Sequence, residues 1–168
     1  VTNYNTNTLQ RFDGVFRYSK LIGIVDNVDN SILSNITTVK IRKDFTPTLS
    51  SSTKYDIYFR NAIYNPHSGH ESVLSSTGFK VSGNNNEMFL DDDGMGDVRL
   101  YYLVSGIKTV QNATQGTIDY ATGQITLNSL DVASISNIRG SISDKIEIMV
   151  SPSSNDVVPV RDQILEID

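Results

Sequence analysis

The stretch Thr117–Leu127, Thr-Ile-Asp-Tyr-Ala-Thr-Gly-Gln-Ile-Thr-Leu, constrains the fold of this chain more than any other. Ile118 and Tyr120 alternate with Thr117 and Asp119, and Ile125 and Leu127 alternate with Gln124 and Thr126. Successive strand side chains point to opposite faces, so two such runs joined by a few turn residues specify a β-hairpin. A type I turn over Ala121-Thr122 places Gly123 where a positive φ is required. Glycine takes that conformation without a Cβ clash, which predicts a three-residue loop with a bulge at Gly123.

The same alternation recurs along the chain. Val39, Ile41 and Phe45 alternate with Lys40, Arg42 and Asp44; Tyr55, Ile57 and Phe59 alternate with Asp56, Tyr58 and Arg60. Phe79 and Val81, Met88-Phe89-Leu90, and Ile146, Ile148 and Val150 give further short strands, and Ile164-Leu165-Glu166-Ile167 a last one. Val98 to Val104 is apolar on both faces, which suits a central strand. Before these, Tyr18, Leu21, Ile22, Val25, Val28, Ile32 and Leu33 recur at spacings of three and four, the stripe of an amphipathic helix. Gly23 weakens that helix, and a strand over Leu21 to Val25 is the competing reading. The expected class is therefore mostly β (α+β): an antiparallel sheet or sandwich of about 7–9 short strands with one N-terminal amphipathic helix. Residues 1–15, rich in Asn and Thr, are expected to form an arm or linker, and 16–168 a single β-rich domain. The opening at Val1 inside a polar stretch reads as a fragment of a longer chain.

Composition removes several functional classes. The net charge of −5 argues against nucleic acid as a partner, because phosphate binding calls for a basic surface. No apolar run approaches the roughly 18 residues of a membrane span. Cysteine is absent, which excludes disulfides and thiolate metal sites.

Few residues suggest chemistry. Asp91-Asp92-Asp93-Gly94-Met95-Gly96-Asp97 resembles a Ca²⁺ loop, with Gly96 at position six if Asp91 is position one. Position twelve is then Tyr102, where a bidentate Glu is required, so a solvated strand-to-strand turn is expected instead. His67 and His70 stand three apart in a Pro- and Gly-containing loop beside Glu71, with no third metal ligand at useful spacing. A hydrolase using Asp97, His67 or His70 would need distant residues to converge, and no nucleophile motif accompanies them. No catalytic, cofactor-binding or metal residue is assigned, and the chain is expected not to be an enzyme. Lys40, Arg42 and Lys43 read as a solvated sheet face or edge. The sequons at Asn35 and Asn112 read as chance matches. Tyr58, Tyr64, Tyr101 and Tyr102 suit either core packing or an interface.

Four pieces, in order, carry a resemblance. They are Arg17-Tyr-Ser-Lys-Leu-Ile-Gly-Ile-Val-Asp-Asn-Val-Asp-Asn-Ser-Ile-Leu-Ser-Asn-Ile-Thr-Thr-Val-Lys-Ile-Arg42, Ser76-Thr-Gly-Phe-Lys-Val81, Gly116–Leu127 and Ser154-Asn-Asp-Val157. Together, from about Phe12 to Ile167, they resemble the C-terminal half of the baseplate wedge protein, gene-product-six type, of T-even-like contractile-tailed bacteriophages. The resemblance implies a structural protein without activity or cofactor, assembled in the host cytoplasm into the tail baseplate of the virion. It implies as partners copies of itself, as a dimer or ring, and other baseplate wedge proteins. Tyr18, Leu21 and Val25 of the helix stripe, with Tyr101 and Tyr102, are the expected contact residues. The alternative is a carbohydrate-binding β-sandwich module of a tail fibre or adhesin, for which surface aromatics and an acidic Ca²⁺ turn would serve.

Overall fold

The computed structural model of the chain describes residues 2–11, 14–159 and 164–167. Val1, Phe12 and Asp168, which bound the expected arm, likeness and domain, lie outside the described residues. The chain divides into two compact units, residues 40–151 and a second built from 1–39 with 152–168.

The larger unit is all β. Its strands are β1 (Ile41–Phe45), β2 (Thr53–Tyr58), β3 (Leu74–Ser76), β4 (Phe79–Val81), β5 (Met88–Asp92), β6 (Asp97–Val104), β7 (Ile107–Asp119), β8 (Gln124–Leu130), β9 (Val132–Ile135) and β10 (Ile146–Val150). Seven make an antiparallel sheet in the order β2-β8-β7-β6-β5-β4-β9, and three make a second in the order β1-β10-β3. The mostly-β antiparallel class expected from alternation is the class observed. β8 runs into β9 through the single residue Asp131, although the two stand at opposite ends of the order β8-β7-β6-β5-β4-β9. The sheet therefore curls back on itself, and Leu49 bridges Val132 beyond it. Inward residues fill the interior: Phe79, Met88, Leu90, Val98, Ile125, Leu127, Val132, Ile146 and Ile148 are all fully buried. β1 and β10, the first and last strands of the unit, pair from Ile41↔Val150 to Phe45↔Ile146.

The hairpin that dominates the sequence is present. Ile118 faces Ile125 and Asp119 faces Gln124. The loop differs by one residue from expectation, since Tyr120–Gly123 makes four between the last paired positions. The Asp119 carboxylate explains the extra residue, because it accepts the backbone N–H of Ala121 at 2.9 Å and of Thr122 at 3.2 Å and so widens the turn. Gly123 has the expected positive φ, 70°.

The smaller unit contains a short helix α1 (Thr2–Tyr4) continued by a π-helical turn (Asn5–Leu9), so the residues expected to form an arm begin helically, with Tyr4 and Leu9 buried. Helix α2 spans Tyr18–Asp26. Its N-terminus is capped from far along the chain: Asp156 accepts the Tyr18 N–H at 2.9 Å and the Arg17 guanidinium at 2.8 Å. A carboxylate there meets both the unpaired first-turn donors and the positive end of the helix dipole. The apolar stripe predicted a helix reaching Leu33, whereas α2 stops seven residues earlier. Asn27 ends it, donating to the Gly23 carbonyl through both its backbone and its side chain, and Asp29 then accepts the Ser31 N–H in an Asx turn. Ile164–Ile167, expected as a strand, is irregular. Its Ile167 N–H donates to the Asn5 side chain at 3.0 Å.

Candidate functional site

The acidic run is the largest departure from expectation. Asp91 and Asp92 are not in a solvated turn; they are the last two residues of β5, and both are buried. Being adjacent in a strand, they face opposite sides of the sheet. Asp92 Oδ1 accepts the Ser72 hydroxyl at 2.7 Å and the N–H groups of Val73 and Leu74 at 2.8 and 2.9 Å. Its Oδ2 accepts the Tyr120 hydroxyl at 2.7 Å. Four donors compensate the burial of a carboxylate, and they tie the start of β3 and the end of the hairpin to β5. Burial, and then the bond to Asp92, push the Tyr120 hydroxyl well above the usual tyrosine range.

On the other face, Asp91 holds two cations. Arg99 Nε donates to Oδ1 at 3.0 Å and Arg99 Nη2 to Oδ2 at 2.8 Å, a forked pair, and Lys108 Nζ reaches the same Oδ2. Arg99 also donates to the Asp92 carbonyl at 2.8 Å. The register places Asp91 opposite Arg99 and Phe89 opposite Tyr101. Lys108 Nζ lies 4.4 Å over the Tyr101 ring, whose other neighbour is Phe89 at 5.7 Å between centroids. The bond to Asp91 holds the Arg99 guanidinium above its ordinary range, and burial pushes the Tyr101 hydroxyl up.

Only Asp93 to Gly96 form the turn itself. Burial alone would raise the Asp93 carboxyl, but the N–H groups of Met95, Gly96 and Asp97 outweigh it and hold it below the usual range. Asp91, Asp92 and Asp93 are thus engaged by protein donors. Among the described residues, no group of three or more His, Asp or Glu is placed to hold a metal ion.

Among the described residues, the histidine rings meet backbone carbonyls. His67 Nδ1 lies 3.1 Å from the Ser68 carbonyl and His70 Nδ1 2.7 Å from that of Glu71. The two rings stand edge-on, 6.4 Å apart, and His70 also packs edge-on against Tyr120 at 5.2 Å. His70 is buried and its Nε2 has no partner among the described residues. No hydrogen bond among the described residues joins Asp97 to either ring, so the residues of the hydrolase reading are not brought together.

The expected contact residues fall in different places. Leu21 is buried, Val25 is half-buried, and Tyr18 donates its hydroxyl to the Thr37 carbonyl at 3.1 Å. Tyr102 packs against the core of the β unit, while Tyr101 lies on the outer face with Phe89 and Lys108. The basic cluster divides as well. Arg42 in β1 pairs with Asp44 at 3.0 Å and with Glu147 at 3.4 Å, and Lys40 is exposed ahead of the strand.

Two exposed apolar features were not foreseen. The first is the end of a ribbon. Val104 pairs with Ile107 across a two-residue turn, Ser105-Gly106, whose φ values of 50° and 82° are both positive, as a type I′ turn requires. β5 pairs no further along than Tyr102, so Leu103, Val104, Ile107 and Val110 stay exposed. The Ser-Gly dipeptide between two apolar residues was a readable signal for this turn. The second is the irregular run after α2, where Val28, Leu33 and Ile36 are exposed.

Comparison with known proteins finds one likeness. Residues 1–44 match the family described as baseplate structural protein gp6, C-terminal domain III. The matched stretch contains the first and longest of the four pieces that carried the resemblance, and it ends inside β1. No curated protein matches, and no solved structure matches.

Proposed function

We propose that this chain is a structural assembly module of a phage tail baseplate wedge. The carrying observation is the likeness of residues 1–44 to a C-terminal domain of a baseplate structural protein. In this reading it works by association, with copies of itself forming a dimer or the inner ring, and with other wedge proteins, in the tail of a contractile-tailed virion assembled in the host cytoplasm. The distribution of polar groups favours association over catalysis. The buried carboxylates are consumed in holding strands together, while apolar side chains remain uncovered at the ribbon end and after α2. The acidic turn offers little to the alternative of a Ca²⁺-dependent carbohydrate-binding module, because Asp91, Asp92 and Asp93 already accept from protein donors.

Sedimentation of the chain across micromolar concentrations tests the self-association, with a rising mass average expected. A strict monomer that also fails to cross-link to other baseplate proteins in purified virions would overturn the reading. Specific glycan binding without association would favour the carbohydrate module.

A further inference from the structure

The chain carries both an open sheet edge and an unpaired run of backbone, and both are largely free of charge. β7 pairs with β6 along Ile107–Thr117, but with β8 only over Gly116–Asp119. On the β8 side, Ile107 to Gln115 has no strand partner among the described residues. An edge of this length is normally blunted by charge, proline or a cover, because its free N–H and C=O groups recruit other strands. The one charge on this edge, Lys108, is held by Asp91, and two register shifts interrupt the pairing with β6; Thr109 to Gln115 contains no charged residue and no proline.

The complementary feature is the run Asn30–Val39, also free of charge and proline and rich in β-branched residues toward its end, Ile36-Thr-Thr-Val39. From Leu33 to Lys40 it forms no helix, turn or bridge, and no residue in it has a positive φ. The Ser31 and Ile32 N–H groups at its start donate to Asp29, and further along the Thr37 carbonyl accepts the Tyr18 hydroxyl. Leu33 and Ile36 are 94% and 99% exposed, values that waste nearly all of the apolar surface of two large side chains. Immediately afterwards the chain enters β1.

Resting on the assembly reading, we infer that residues 34–39 of one copy add as a strand to the open edge of β7 in a second copy. Backbone hydrogen bonds along Thr109 to Ala113 supply the attachment, the Thr114 N–H being taken by the Asn112 side chain, and Ile36 with its neighbours covers the exposed Val110 and the ribbon end. A chain of net charge −5 repels its own copies, and two uncharged segments are where they approach at least cost. Because the donor run and the acceptor edge are different parts of the chain, the exchange closes as a two-fold pair when it is reciprocal and propagates into a ring or a filament when it is not.

The absence of cysteine makes a direct test available. Ile36→Cys and Val110→Cys, both at exposed positions, are prepared as separate full-length chains, mixed and mildly oxidised. Ile142→Cys, 93% exposed elsewhere in the chain, replaces Val110→Cys as the collision control. The inference expects a several-fold excess of the mixed Ile36→Cys/Val110→Cys dimer over either homodimer and over the Ile142 control. Random proportions, predominance of a homodimer or absence of cross-links would overturn it. So would a monomeric internal disulfide as the main product of the doubly substituted chain. If the unsubstituted chain associates in sedimentation while the mixed dimer is missing, the strand addition fails and the assembly reading stands; a strict monomer removes both self-association and strand addition.

Discussion

The Tyr120 hydroxyl donates to Asp92 Oδ2 at 2.7 Å, joining a hairpin loop to the end of a strand 28 residues earlier. The bond is buried, and Asp92 accepts from Ser72, Val73 and Leu74 through its other oxygen. One carboxylate therefore sets the relative positions of three chain segments.

Tyr120→Phe removes that donor and leaves a buried carboxylate oxygen unpaired. A hydrogen bond to a charged group contributes about 1.5–3 kcal/mol, and a loss in that range is expected in urea unfolding followed by circular dichroism. The pH dependence has a definite sign. The folded Tyr120 pKa is raised above the ordinary tyrosine value of 10.0, so its contribution is complete below about pH 10 and is lost as pH climbs toward the folded value. The unsubstituted chain should lose stability above pH 10 more steeply than Tyr120→Phe.

Acid acts on the helical unit through Asp156. Its pKa is lowered from 3.8, first by the Arg17 side chain and then by the Tyr18 N–H. The contribution of this group is therefore present above pH 3.8 and is lost as pH falls through the lower folded value. Asp156→Asn keeps an acceptor for the Tyr18 N–H but loses the charge, so it should reduce helix signal at neutral pH and flatten its acid dependence.

Gly123→Ala should destabilise the β unit. The residue has φ 70°, and an added Cβ would come within 2.2 Å of the Asn61 carbonyl oxygen, a backbone atom that cannot step aside cheaply. A left-handed non-glycine residue alone costs about 1–3 kcal/mol, and the clash adds to it; a thermal melt of the variant checks this. An unchanged melting temperature would contradict the loop geometry.

The two cations on Asp91 should not be equivalent. Arg99 makes a forked pair and its side chain is 27% exposed, whereas that of Lys108 is 42% exposed. Breaking a buried pair by removing one partner costs about 3–5 kcal/mol, which is the upper range expected for Arg99→Met. Lys108→Met should cost clearly less, since Arg99 still neutralises the carboxylate. Equal losses in chemical denaturation would show that the fork is not the dominant contact.

Periodicity made most strands readable, because alternation of Ile, Val, Leu and Phe with polar residues follows directly from a half-buried pleat. It failed where a local polar group overrode it. The stripe from Tyr18 to Leu33 keeps helical spacing, yet Asn27 and Asp29 take the backbone into turns. Asp91 and Asp92 were misread for a different reason. A run of three aspartates looks solvated in isolation, and the residues that make burial tolerable lie up to 28 positions away, at Ser72, Arg99, Lys108 and Tyr120. The capping of α2 by Asp156, 138 residues on, was equally invisible to any local reading. The open edge of β7 was hidden too, since a strand's neighbours are a property of topology and not of its own residues.

The pairing of Ile41 with Val150 has a mechanical meaning. The chain enters the β unit and leaves it through adjacent antiparallel strands, so tension between the flanking segments, before Lys40 and after Ser151, pulls at neighbouring points. Such a load peels the β1–β10 ladder one rung at a time from Ile41↔Val150, instead of shearing all its hydrogen bonds together. The curled sheet behind it stays outside the line of force until that short zipper has opened, which makes the zipper the mechanical fuse of the unit.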